Sequence, residues 1–428
     1  MSGRESIPFF HGVHFRKVRL VFPVCFFRML FPPGTTPDAK RLILARALRG
    51  LGDGFVSIYL VAYLQLLGFS AVQIGAIVTG MLVGSAALTL LAGLASHRIR
   101  TRRVLFVATL LMGLTGAGFA SLTNFWLIFF IAFVGTLNPS AGDVSVFLPV
   151  EQSILAGEAS TSDRIALFAR YSLGGLLFGA FGALMSGLPE AAARFLGWEL
   201  VDTFRAGFIL YGVLALVIAW LYRGLVHGKT TVTNGNAPLR KSRPFVIRMA
   251  FLFALDSFGG GFVIDSLVVL WLFLRFDLSL QTVAAVFFGT RMLAALSQLG
   301  SPRLAARIGP IETMVFTHIP ANLFLVLAAF MPSAPLAVAF LLLRMMFSSM
   351  DVPVRQSYVM SIVPPEERAA AASMTNVPRS LVSAISPLLA GSLLQVSTFG
   401  WPLLIGGTLK IVYDFLLLIQ FRHIRPPA

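Results

Sequence analysis

From residue 41 onward the chain is a succession of apolar runs, each about 20 residues or longer, separated by short polar links. A run of that length crosses roughly 30 Å of hydrocarbon as a helix. Inside a bilayer no water satisfies the backbone amides, so each run has to close its own hydrogen bonds as an α-helix. Twelve runs are read, at 42–66, 71–96, 104–122, 125–156, 165–187, 204–223, 245–274, 279–300, 311–331, 335–362, 369–395 and 399–421. The expected fold class is therefore an all-α membrane protein. Composition agrees: 57% of residues are hydrophobic and 12% charged, with a mean hydropathy of +0.84. That is too little polar surface to cover a soluble domain of 428 residues.

The second constraint is repetition. Pro149-Val-Glu-Gln-Ser153 recurs as Pro353-Val-Arg-Gln-Ser357, and each copy is followed, in unbroken register, by an acid–arginine pair, Asp163-Arg164 and Glu367-Arg368. A period of half the chain points to duplication of a whole bundle rather than to a short solenoid repeat. The hydrophilic stretch 224–244, with Thr230-Thr231-Val232-Thr233-Asn234 followed by Arg240, Lys241 and Arg243, reads as the cytoplasmic linker between the copies. The expected division is thus a six-helix bundle at 41–223, a second at 245–421 and a tail at 422–428. Residues 1–40 interleave Arg16, Lys17, Arg19 and Arg28 with apolar side chains and prolines. They read either as a segment lying on the cytoplasmic lipid surface or as sequence upstream of a true start at Met29.

The net charge of +16 sits in the links rather than on one basic, aromatic face, which excludes a nucleic-acid partner. Arg98, Arg100, Arg102 and Arg103 follow the second run, Arg164 the fourth, Arg303 and Arg307 the eighth, Arg368 the tenth, and Arg422 and Arg425 the twelfth. The opposite links hold chiefly Arg194, Arg205 and Arg275, so both termini are expected on the cytoplasmic side of the cell membrane. Cys25 is the single cysteine and the histidines lack ligand spacing, so neither a disulfide within the chain nor a metal or other cofactor is expected. No Ser-His-Asp or His-Glu-x-x-His constellation is found, and no phosphate-cradling Gly-x-x-x-x-Gly-Lys-Ser/Thr loop. An enzyme or a built-in ATP motor is not expected.

The link after the second run, Gly93-Leu-Ala-Ser-His97-Arg98-Ile-Arg100-Thr-Arg102-Arg103, resembles the signature loop of the major facilitator superfamily: Gly93, Arg98, Arg102 and Arg103 match. His97 stands where that family has Asp, and Arg100 where it has Gly. Pro302-Arg303 through Arg307 to Gly309 is a weaker second copy, and the two Pro-Val-x-Gln-Ser stretches are similar to the ends of the family's fourth and tenth helices. The resemblance implies twelve transmembrane helices in two pseudo-symmetric six-helix bundles around a central cavity, opened alternately to either side. It does not imply a substrate, and the fifth-helix glycine–proline signature of many antiporters in the family is absent.

Ionisable residues inside apolar runs are costly and normally face such a cavity. Asp53 lies near mid-depth of the first run and Asp256 takes the matching place in the seventh. Each is either a proton or substrate site, since a buried carboxyl can take up and release a proton as its surroundings change, or one half of an ion pair, with Arg49 and Arg46 as partners for Asp53. Arg291 and Arg344 are also near mid-depth. A guanidinium cannot discharge, so it needs an anion, water or an acid such as Asp265, Asp351 or Asp143. Asp143 is grouped with these four as lining the cavity.

A cytoplasmic gate is expected from Gly93, Arg98, Arg102, Arg103, Glu151, Arg164, Arg355 and Arg368. Glu151 is expected to meet Arg98 or Arg102, and Arg355 to meet Asp351, Glu366 or Glu367. Lys410 and Asp414 read as a pair on one helix face, and Gly174, Gly175, Gly179, Gly182 and Gly187 as a close-packing stripe. The function expected is secondary active transport of a small organic solute by alternating access, coupled to protons, by a monomer embedded in membrane lipid. Export is favoured over two alternatives, an uptake symporter for an anionic metabolite and a lipid-handling or sensor protein with a transporter fold.

Overall fold

A computed structural model describes residues 35–95, 100–139, 145–158, 161–225, 242–364 and 367–423. Every regular element among them is helical. The first half contains α1 (Pro37–Leu66), α2 (Ala71–Ala95), α3 (Thr101–Ser121), α4 (Phe125–Val134), α5 (Phe147–Gly157), α6 (Thr161–Met185), α7 (Leu188–Leu196) and α8 (Leu200–Arg223). The second contains α9 (Arg243–Gly261), α10 (Asp265–Phe276), α11 (Leu280–Ile308), α12 (Pro310–Phe330), α13 (Ala334–Ser348), α14 (Asp351–Ile362), α15 (Arg368–Ser383), α16 (Ser386–Val396) and α17 (Trp401–Phe421). The local signals are ordinary helix signals. Thr36 caps α1 by accepting from the Ala39 amide at 3.2 Å, and Pro37 occupies the first turn, where no amide partner is needed.

Four of the twelve membrane passes are divided, where the sequence led us to expect single helices. The fourth is α4 with α5, the seventh α9 with α10, the tenth α13 with α14 and the eleventh α15 with α16. The halves Phe125–Val134 and Ala334–Ser348 are each too short to span alone. Glycine and proline account for the breaks. α9 ends in Gly259-Gly260-Gly261, while Pro353 and Pro387 fall in the first turns of α14 and α16. A proline there lacks an amide and would clash with the carbonyl one turn back if the helix continued. A further departure is α7, an extra short helix after the fifth pass that stops at Gly197 in the left-handed conformation (φ +67).

Within the first half α1 lies along α6 and α3 along α8; within the second α9 lies along α15 and α12 along α17. The α1–α6 approach is glycine on glycine, as the stripe of small residues predicted. A Cβ on Gly50 or Gly54 would collide with the carbonyl of Gly175 or Gly179. The halves meet through α2 against α16, α6 against α11 and α1 against α10. These contacts lie toward the end where α1 finishes and α2 begins. There the Ala71 amide donates to Gln395 at 3.0 Å, Gly75 faces Gly391, and Gly187 packs on Gln281 and Ala284. Toward the opposite end α5 packs on α1, α3 and α6, and α14 on α11 and α12. Large apolar side chains such as Trp126, Trp220 and Phe251 project outward, as lipid-facing surface should.

Candidate functional site

Four polar residues of α1, Arg46, Arg49, Asp53 and Ser57, recur at three- and four-residue steps and so share one helix face. Arg49 is buried and pairs with Glu151 of α5, a residue with no exposed surface. The Tyr171 hydroxyl donates to the same carboxylate oxygen and the Tyr222 hydroxyl to the other at 2.5 Å, while the Arg49 guanidinium lies 4.4 Å from the centre of the Phe147 ring. A carboxylate withdrawn from water needs this many donors, because its desolvation outweighs a single ion pair. Glu151 therefore does not meet Arg102, contrary to the expectation from sequence. Arg102 is exposed beside Phe106. Arg103 is exposed as well. Asp143 and Arg98 lie outside the described residues, as do the side chains of Arg164 and Arg368 and the surroundings of Gly93.

The second half repeats this arrangement with the charges exchanged. Arg355 of α14, the counterpart of Glu151, reaches Asp256 of α9 at 3.2 Å and Asp351 at 3.4 Å. Its expected partner Asp351 is thus present, and Asp256 is a second one. Lys410 Nζ is also 2.6 Å from Asp256. Asp256 is consequently held in an ion pair, the second of the two roles open to it from sequence. The pairing of Lys410 with Asp414 is replaced: Asp414 bonds the His318 ring at 2.9 Å and accepts from Asn322 at 3.4 Å. α12 and α9 both lie against α17, so Asp414 finds its partners on α12 and Lys410 finds Asp256 on α9 rather than on their own helix. Arg379 donates to Ser257 at 2.6 Å.

Between the halves, Arg291 of α11 spans Asp265 at 2.6 Å and Ser57 at 2.8 Å. The Ser266 hydroxyl donates to the carbonyls of Ser57 (2.7 Å) and Pro139 (2.9 Å), so the break in the seventh pass is tied to the break in the fourth. Arg291 thus has the acid partner that was one of its alternatives. Arg344 interacts electrostatically with Asp265 but makes no ion pair among the described residues, and its Nε is buried without a hydrogen-bond partner. Asp53, 7% exposed, makes no hydrogen bond or ion pair among the described residues. Arg46, Arg49, Arg291, Glu151 and Tyr211 surround it electrostatically.

Sequence reasoning missed Tyr171, Tyr222 and Ser57 as partners and the His318–Asp414 pair altogether. The spacing of Arg46, Arg49, Asp53 and Ser57 was the available signal for one of them. The others are joined across helices and leave no local pattern.

A sequence model of the Major Facilitator Superfamily matches residues 42–347, well over half of the chain. The chain belongs to the major facilitator superfamily. As a member it is a multi-pass membrane transporter and not an enzyme, with two six-helix bundles about a central cavity. The uncharacterized membrane protein YJR124C of Saccharomyces cerevisiae is 24% identical over 420 residues, covering 90% of this chain and 94% of the yeast protein. Among solved structures, the nucleoside transporter NupG superposes with a TM-score of 0.69 at 15% identity, covering 91% of this chain and 100% of that one. A bacterial homologue of the human lysosomal transporter Spinster, inward-facing and occupied, superposes with a TM-score of 0.70 at 15% identity, covering 93% and 100%. At these identities the likeness is one of fold within the superfamily.

Proposed function

We propose that this protein is a proton-coupled secondary transporter of a small organic solute, working by alternating access, and that Asp53 is its proton-binding group. One observation carries the reading: Asp53 is buried where the bundles meet and has no hydrogen bond or ion pair among the described residues, whereas Glu151, Asp256 and Asp265 are each tied to a cation. A carboxyl locked to an arginine or lysine is a structural element; one left unbonded beside fixed charges can change its protonation state without dismantling a bundle.

The chain divides into bundles at 41–223 and 245–421 joined by a cytoplasmic linker at 224–244. With both termini cytoplasmic, the cross-bundle contacts lie on the outer side, and the conformation is inward-facing. Arg49–Glu151 and Asp256–Arg355 then hold each bundle rigid while the bundles rock. Whether cargo moves with or against the proton depends on whether the two bind together or exclude one another.

The test is flux in liposomes holding purified protein, with cargo found by a thermal-shift screen of metabolites and drugs. A pH step should drive solute movement. Asp53→Asn should abolish that drive while leaving solute exchange at zero gradient. Unchanged coupling in Asp53→Asn would remove it from the proton role, and lipid movement without solute flux would refute the reading as a whole.

A further inference from the structure

The proposed coupling leaves open the chemistry of the cargo, and the charges between the bundles speak to it. Arg49 is neutralised by Glu151, and Arg291 by Asp265. Three charges then remain without an ion-pair partner among the described residues: Arg46 and Asp53 on α1, and Arg344 on α13. Arg46 is 9% exposed, and its Nε is buried with no hydrogen-bond acceptor. It lies against Gly175, with its guanidinium 5.8 Å from the centre of the Tyr171 ring, neither of which supplies a negative charge. Arg344 has a methionine sulfur at 3.9 Å as its hydrogen-bond acceptor. Each half thus contributes one guanidinium that bonds no carboxylate among the described residues and whose Nε is unfilled, and such a fork suits a carboxylate or a phosphate.

We propose that the central cavity binds an organic anion between Arg46 and Arg344, and that the anion is carried in the same direction as a proton on Asp53. This rests on the proposed proton role of Asp53 and extends it. The unpaired charges sum to +1 with Asp53 ionised and to +2 with it protonated, counting Arg46, Arg344 and Asp53. The groups that face Asp53 are Arg46 and Arg49 on its own helix, Glu151 on α5, Tyr211 on α8 and Arg291 on α11. Beyond them stand Tyr171 on α6, bonded to Arg49, and Asp265 on α10, bonded to Arg291. None of these except Asp53 combines a carboxylate with freedom from an ion pair.

Protonation therefore removes the one negative charge that would repel an anion. For a group about 8 Å away at an effective dielectric constant of about 20, that removal tightens anion binding about thirtyfold. By linkage the bound anion raises proton affinity by the same factor, so the two occupy the cavity together and leave together. A cationic cargo would have to replace the proton at Asp53, and would move against it.

The experiment uses the full chain in liposomes containing a trapped pH dye, at equal pH on both sides. The probes are an acid-soluble metabolite extract separated by ion exchange into anionic, cationic and neutral pools, with protein-free vesicles as the baseline. The anionic pool should acidify the lumen with the wild type and give no signal with Asp53→Asn. Arg344→Gln should raise the half-maximal concentration of that pool at least tenfold, and Arg344→Lys about threefold, because a point charge replaces the fork. Activity confined to the cationic or neutral pool would overturn the anion assignment while leaving proton coupling intact. Lumen alkalinisation by the anionic pool would overturn co-transport. If no pool moves protons, the proton-coupled reading fails and this inference fails with it.

Discussion

Replacing Glu151 with Gln removes the charge but keeps the shape, and so isolates the buried ion pair with Arg49. In the native arrangement Arg49 is 2% and Glu151 0% exposed, so neither charge can be rescued by water once its partner is gone. Breaking a buried pair by neutralising one member costs about 3–5 kcal/mol, because an uncompensated charge is left in a medium of low polarity. The glutamine oxygen can still accept from Tyr171 or Tyr222, which places the cost toward the lower end. At about 2–4 °C per kcal/mol for a unit of this size, the apparent Tm in detergent should fall by roughly 10 °C. Neutralising both members, Arg49→Met with Glu151→Gln, should recover most of that loss, since no buried charge is then unpaired. A double-mutant cycle on purified protein, read by intrinsic fluorescence during heating, measures the coupling. If Glu151→Gln melts with the wild type, or if the double variant is as unstable as the sum of the singles, the pair is not what fastens α5 to α1.

The remaining expectations test other parts of the architecture. Asp256→Asn should cost about 3 kcal/mol by leaving Lys410 uncompensated, whereas Asp53→Asn should leave the melting temperature near the wild-type value and change only pH-driven flux; melting curves and flux together separate the two. Gly54→Ala should cost about 3 kcal/mol because its Cβ meets the Gly179 carbonyl. By contrast Gly113→Ala, with its nearest neighbour at 3.9 Å, should stabilise α3 by about 0.5–1 kcal/mol in the same thermal assay. His318→Leu removes the 2.9 Å bond to Asp414 and should cost about 2 kcal/mol, visible as a lower Tm at neutral pH.

Much of this molecule is dictated by the bilayer. Each apolar run must be a helix because its amides have no alternative partner, so the number of passes and their order follow from run length alone. The duplication likewise announces itself, because the Pro149 and Pro353 stretches are read directly. The glycines of α6 were legible as a packing stripe for a similar reason: only small residues allow helix backbones to approach in lipid, where no hydrophobic force drives association.

What the sequence could not settle was which charge meets which. Glu151 and Arg355 occupy equivalent places, yet one is held by Arg49 and the other by Asp256, both of them roughly one hundred residues away along the chain. Lys410 and Asp414 are an ideal same-helix pair by spacing, and each prefers a partner on another helix because burial multiplies the value of a well-placed counter-charge. The breaks in the fourth, seventh, tenth and eleventh passes also belong to tertiary structure. Glycine and proline permit them, but neighbouring helices satisfy the freed backbone groups, as Ser386 does by donating to the Phe258 carbonyl at 2.7 Å. Secondary structure in a membrane is a local hydrogen-bonding problem and can be read one segment at a time. Ion pairing is a problem of distance between segments, and only the packed helices determine that the buried carboxylate of Asp53 is left without a bond among the described residues.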